Sequence, residues 1–256
     1  MILLIPHCCF MVKMVMRTIY ISPHLDDAIL SAGGLIYELA RAGSDVEIWT
    51  MMCGFPPDAE LSPFAQVLHY QWGIPAAADV VRARRKEDLN ATKIVGAKSV
   101  HFDFLDCIYR RGKNGNWLYS DVFVPLHEDE VDLPAQIADS IAARLQPDDK
   151  LVCQLAIGAH VDHALTRRAV ELLQRPVFYT ADIPYLFNAP KELAPKTIGM
   201  KVSTRRIRKS ASKIWRYAIS QYTSQISSLF DSREELRAKI NQYAADNKGV
   251  RLWTFD

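Results

Sequence analysis

Residues 18–43 read TIYISPHLDDAILSAGGLIYELARAG, and the fold is decided there. The first five residues, Thr18 to Ser22, form a β-branched and aromatic run of the kind that suits a strand. From Asp27 to Ala42 the apolar positions (Ile29, Leu30, Leu35, Ile36, Leu39, Ala40) fall at helical spacing, and Gly43 supplies a C-terminal stop. Strand, short loop and helix open a parallel α/β unit. The rhythm then repeats, with strand patterns at 46–53, 99–104, 150–155 and 176–180. Helical patterns at 79–95, 133–145 and 162–173 separate them. The expected architecture is a Rossmann-like three-layer α/β fold, a mainly parallel sheet with helices on both faces.

Two excursions interrupt the alternation. A loop holding Pro56, Pro57, Pro63 and Pro75 encloses a short helical pattern within 61–72, and residues 106–131 are polar with a turn at Gly112-Lys-Asn-Gly115. After residue 181 come a Pro-rich segment, a strand at 197–202, two long helical patterns and an edge strand at 250–255. Residues 17–256 read as a single domain with a C-terminal helix and strand elaboration. Residues 1–16 read as an N-terminal tail, with Met11, Met14 and Met16 as alternative starts. This tail is apolar, but Pro6-His7 interrupts it, and it has neither a positive n-region nor a small-x-small cleavage site. It is also too short to span a bilayer.

The 256 residues carry 31 basic and 29 acidic side chains, a formal charge of +2, with 49% apolar and 23% charged residues. That balance excludes disordered, collagen-like and uniformly nucleic-acid-coating chains. The five cysteines, Cys8, Cys9, Cys53, Cys107 and Cys153, contain no C-x-x-C pair. They read as reduced thiols of a cytoplasmic protein.

Ligands of open parallel sheets bind beyond the carboxyl ends of the strands. After strand one stands Ser22-Pro-His-Leu-Asp-Asp27, and after strand four Gly158-Ala-His-Val-Asp-His163. A dinucleotide site would need G-x-G-x-x-G at the first turn, where this chain has a proline, a histidine and two carboxylates. Neither a phosphate-cradling G-x-x-x-x-G-K-[ST] loop nor a G-x-S-x-G elbow occurs. A catalytic metal fits better, since zinc takes three His or acidic ligands and keeps one position open. His24, Asp27 and one of His160 and His163 make such a set. Asp26 and the other histidine then stand beside it as groups that could move protons. An aspartate opening a helix is also a good N-cap, so Asp26 and Asp162 have a purely structural alternative.

The segment from Ser22 to Ala28 resembles the H-P-D-D-E signature of the PIG-L/LmbE-type zinc-dependent de-N-acetylases, and Ala159-His-Val-Asp-His163 resembles their H-x-D-H. Arg84-Arg-Lys-Glu87, Phe104-Leu-Asp106 and the segment from Lys213 to Gln225 are similar to weaker family motifs in the expected order. The resemblance implies His24, Asp27 and His163 as ligands of zinc or another divalent ion. It implies Asp26 as general base, His160 as oxyanion and leaving-group partner tuned by Asp162, and Arg84 and Asp106 as sugar contacts. Tyr185, after strand five, is a further candidate for substrate contact or for packing. Leu25 and Ala28 depart from the family's proline and glutamate without removing a ligand or base.

The implied activity is removal of an N-acetyl group from an amino sugar or its conjugate. Hydrolysis of another small amide or acyl group, or non-catalytic sugar or metal binding, are the alternatives. The expected partner is a small amino-sugar molecule; nucleic acid is not expected. Eight basic residues and no acidic one lie between Leu193 and Phe230, concentrated at 201–216. They read as a solvated helix face, or else as a surface for an anionic substrate part, a peripheral contact with anionic lipid, or nucleic acid. Trp72, Trp117 and Tyr119 read as rim aromatics that stack on a sugar or pack their own loops.

Overall fold

The computed structural model describes residues 16–57 and 60–255. The proposed tail at 1–16 lies, apart from Met16, outside the described residues, as do Cys8 and Cys9. The elements run in the order β1 (Arg17–Ser22), α1 (Asp27–Arg41), β2 (Asp45–Met52), α2 (Pro63–Trp72), α3 (Ala77–Val95), β3 (Lys98–Phe104), α4 (Leu133–Ala142), β4 (Lys150–Gln154) and α5 (Val161–Leu172). They continue with β5 (Val177–Thr180), α6 (Tyr185–Asn188), α7 (Leu193–Lys196), β6 (Lys201–Arg205), α8 (Lys209–Ile219), α9 (Ile226–Leu229), α10 (Arg233–Asp246) and β7 (Val250–Thr254).

The sheet order is β3-β2-β1-β4-β5-β7-β6, with β1 to β5 parallel and β7 antiparallel to both β5 and β6. Placing β1 beside β4 reverses the direction of winding between them, and a crevice opens where their following loops diverge. The reading of 250–255 as the edge strand is corrected: β7 is interior, and the edge is β6, which starts four residues later than expected. All five β6 residues are exposed, so no inward face marks the strand in sequence.

Alternation along β1 builds both cores. Tyr20 faces a cluster with Ile29, Leu30 and Ile36 of α1, Ala91 of α3, Trp215 of α8 and Ile240 of α10. Ile19 and Ile21 face the other side, with Ile137 and Ile141 of α4 and Leu165 and Ala169 of α5. The C-terminal elaboration thus completes one of the three layers. Trp215, fully buried, donates its Nε1–H to the Ile29 carbonyl at 2.6 Å. A Cβ on Gly33 would meet its ring at 2.6 Å and one on Gly34 at 2.9 Å, so α1 carries glycines where α8 crosses it.

Candidate active site

The loop after β1 is shaped by Ser22. Its hydroxyl donates to the His24 carbonyl (2.7 Å) and accepts the Ala28 N–H (3.1 Å), closing the turn that starts α1. Asp27 accepts the His24 backbone N–H at 2.8 Å. Asp26 holds the N-cap position but makes no capping bond, so its carboxylate is left for the cavity. The second loop turns through Gly158 (φ 85°) and Ala159 (φ 57°) before α5. A Cβ on Gly158 would stand 3.0 Å from Tyr185, and Ala159 carries a left-handed backbone that alanine rarely adopts. His160, not Asp162, caps α5: its Nδ1 accepts the Asp162 backbone N–H at 3.2 Å.

These loops wall a cavity of about 290 Å³ at the carboxyl ends of β1, β3, β4 and β5. His24, Asp26, Asp27, Arg84, Asp106, His160 and Tyr185 line it, with apolar Leu68, Trp72, Val122, Phe123 and Leu229 opposite. His163 and Asp162 lie just behind, fully buried. Trp72 reaches the cavity and stacks on Arg84 at 5.4 Å, whereas Trp117 lies under Arg111 and Tyr119 is buried against Arg110. Of the three rim aromatics, Trp117 and Tyr119 therefore pack their own loop.

One donor atom each from His24, Asp27 and His163 lies within 4.8 Å of the others. The hydrogen-bond pattern shows what this set can hold. His163 donates Nδ1–H to Asp182 at 2.8 Å, which turns its Nε2 lone pair inward; that atom is buried and has no hydrogen-bond partner. His24 Nε2 lies 3.0 Å from an oxygen of Asp162, leaving Nδ1 to face Asp27 Oδ2 at 3.2 Å. Asp27 Oδ2 is also 3.3 Å from His163 Nε2. With both imidazoles neutral, three electron pairs converge with no donor between them, and either protons or a divalent cation with nitrogen and oxygen ligands resolves that arrangement. His24, His160 and Asp162 also approach one another, but Asp162 is already committed elsewhere. Its carboxylate accepts the Cys107 N–H (3.0 Å) and pairs with the Arg110 guanidinium (2.6 Å).

The Asp162 carboxylate hydrogen-bonds His24, while toward His160 it acts through its charge, which favours the imidazolium, and through its backbone N–H. Asp106 caps a 3-10 turn at Cys107–Tyr109 and lies 3.7 Å from Arg84, which is itself 3.8 Å from Asp26. Glu87 accepts both the Ser224 N–H and hydroxyl, pinning the loop that brings Gln225 to the cavity.

Electrostatics follow from burial. Desolvation and the adjacent Asp27 push the Asp26 carboxyl up, so it holds a proton more readily than a surface aspartate. Asp27 is held well below the usual range because His163 and His24 overcome its burial. Burial opposes charging of His163, yet Asp27 and Asp182 raise it to about 9. His24 is raised well above its ordinary value, its bonds to Asp162 and Asp27 outweighing desolvation. His160 goes the other way, depressed by burial and by the imidazoles of His24 and His163. In the metal-free protein, protons occupy the positions that a cation would take.

Two residues escaped the sequence reading. Asp182 stands two residues beyond β5 at the same rim, a position where an acid is worth testing, but it belongs to no repeated pattern. Arg110 lies in the polar excursion and bridges Asp162 and Glu130, each at 2.6 Å. No local signal marked it.

A family model described as PIG-L, GlcNAc-PI de-N-acetylase, matches residues 19–173. The chain is 27% identical over 267 residues to the 2'-N-acetylparomamine deacetylase of Niallia circulans, covering 91% of this chain and 89% of that one. It superposes on the zinc-inhibited form of the teicoplanin deacetylase Orf2 with a TM-score of 0.82 and 28% identity, covering 93% and 97% of the two chains. The A40926 pseudoaglycone deacetylase Dbv21 gives 0.77 and 28%, covering 94% and 97%.

Proposed function

The chain belongs to the PIG-L family, and from that premise we propose that it hydrolyses the acetamide of an N-acetylated amino sugar or its conjugate. The observation that carries this reading is the inward convergence of His24, Asp27 and the His163 Nε2 that makes no hydrogen bond, beside a cavity into which Asp26 presents a carboxylate that caps no helix. His24, Asp27 and His163 would hold a divalent ion, zinc in the first instance. Such an ion supplies Lewis acidity, lowering the pKa of water from 15.7 to about 7 and polarising a carbonyl.

The residues of the chain divide the remaining work. Asp26 accepts the proton of the attacking water as its oxygen bonds to the acetyl carbon. His160, across the cavity, stabilises the resulting oxyanion and supports protonation of the amine as the C–N bond breaks. Acetate and a free amino sugar leave. Asp182 and Asp162 orient His163 and His24, and Asp162 is a positioning residue in this scheme. Arg84, Asp106 and Tyr185 hold the sugar, with Trp72 stacked behind Arg84. The apolar wall of Leu68, Val122, Phe123 and Leu229 favours one variant of the reading, an acyl group longer than acetyl.

Among the described residues no helix is long and apolar enough to cross a membrane. Cys53, Cys107 and Cys153 are buried free thiols, which supports a reducing, cytoplasmic setting.

The test is acetate release from N-acetylglucosamine conjugates by purified protein, before and after chelation and with zinc restored. Activity that disappears with chelator and returns with the ion supports the reading. Equal rates in chelator exclude the metal site, and release of a longer acid but no acetate selects the longer acyl group.

A further inference from the structure

The basic run of the C-terminal half has no role in the reaction above. Lys213, Arg216 and Tyr217 of α8 and Arg233 and Arg237 of α10 line a groove of about 450 Å³, floored by Ile226 and Leu236. Among the described residues, Lys213, Arg233 and Arg237 make no ion pair or hydrogen bond through their side chains, and Arg216 reaches only the neutral amide of Asn241. No acidic side chain lines the groove. Three other surface cations are neutralised by carboxylates, Arg208 by Glu38, Arg167 by Glu171 and Lys239 by Glu235; what sets the groove apart is that four cations converge on one concavity with no acid in its lining.

The groove is also placed with respect to the catalytic cavity. The single helical turn α9 separates them: Ile226 lines the groove, while Ser228, Leu229 and the preceding Gln225 line the cavity. The two concavities thus lie on either side of α9, and a substrate with its acetamide in the cavity would have to extend around that turn to reach the groove.

We propose that this groove is a subsite for a phosphoryl group, carried by the substrate on the side away from the acetamide. Four cations with three guanidinium forks match a group with more than one negative charge better than a single carboxylate. The apolar floor suits whatever joins or follows the phosphate. The inference rests on the amino-sugar reading and adds a class of substrate to it.

The test compares kcat/KM for N-acetylglucosamine and for UDP-N-acetylglucosamine, in wild type and in the Arg233→Gln/Arg237→Gln double variant, with zinc present throughout. Pyrophosphate binding is measured calorimetrically in parallel. Wild type is expected to favour the diphosphate-bearing sugar about tenfold at low salt, falling as salt rises, and the double variant is expected to lose that preference along with the pyrophosphate heat. A wild-type ratio of one, or a ratio that survives the double substitution, overturns the subsite. Pyrophosphate heat with no hydrolysis of either sugar rejects the amino-sugar reading rather than the anion site. Binding to vesicles containing phosphatidic acid, with no preference between the two sugars, would assign the phosphoryl group to a lipid headgroup and overturn the substrate assignment.

Discussion

Replacing Arg110 by Met removes one cation from between two buried acids. Arg110 is 6% exposed, Asp162 fully buried and Glu130 8% exposed, so neither carboxylate can turn to water. Breaking a buried pair from one side costs about 3–5 kcal/mol. The lower end applies here, because the close contacts to Glu130 and Asp162 are not aligned hydrogen bonds, and the guanidinium instead donates to the Leu105 carbonyl at 3.0 Å. About 3 kcal/mol in a chain of this size lowers the melting temperature by roughly 6–12 °C. The loss has a pH signature. Asp162 is held far below the usual carboxylate range because Arg110 and His24 overcome its burial. A depressed group contributes stability above its unfolded pKa near 3.9, and that contribution goes as pH falls through the folded value. Without Arg110, burial drives the Asp162 carboxyl upward, and the variant relieves the cost by taking up a proton. Its deficit is therefore larger at pH 8 than at pH 5. Thermal melts of the metal-free proteins across that range read both effects; a variant melting within 2 °C of wild type at pH 8, or with the same deficit at pH 5, would refute the ion-pair account.

Asp26→Asn should keep full metal stoichiometry while turnover drops by about 10²–10⁴, the usual worth of a positioned proton acceptor; near-normal turnover with metal bound would take the base role away from it. Asp182→Asn should weaken metal binding by about 10–100-fold, as loss of an orienting partner does, and a change under threefold by chelator competition would dismiss its part in aiming His163. Since His163 is raised to about 9 and His24 also upward, metal binding at pH 7 should release close to two protons, read in weakly buffered solution. In the metal-free protein, the stabilisation from charged His163 is full below about 6.5 and is lost as pH rises through about 9. Trp215→Ala should cost about 3–5 kcal/mol by denaturant titration, because the cavity left against Gly33 and Gly34 has no side chain to fill it; a loss under about 1 kcal/mol would show that α8 does not close the layer.

The parallel half of the sheet was legible because β1, β2 and β4 are buried on both faces and each carries a short apolar run, Ile19-Tyr-Ile21, Ile48-Trp49 with Met51-Met52, and Leu151-Val-Cys153. The order of β6 and β7 was not, since pairing between an exposed strand and the chain terminus leaves no periodic trace. The cluster at the rim was legible from two loops of like composition. What lay outside the reading is non-local: Asp182 meets His163 across 19 residues and Asp162 meets His24 across 138. Spacing within one loop brings residues to the rim but says nothing of which carboxylate faces which imidazole. Trp117 and Tyr119 illustrate the same limit, since loop aromatics look alike whether they face ligand or a neighbouring arginine.

The capping bond at the start of α5 has a consequence for who does what in the cavity. A peptide N–H can only give a hydrogen, so the His160 nitrogen that receives it must keep its lone pair there. The neutral ring is thereby restricted to one tautomer, with its remaining hydrogen on Nε2. An imidazole held in that form offers a hydrogen to whatever enters the cavity, which agrees with the proposed reaction, where Asp26 and not His160 accepts the proton of the nucleophile.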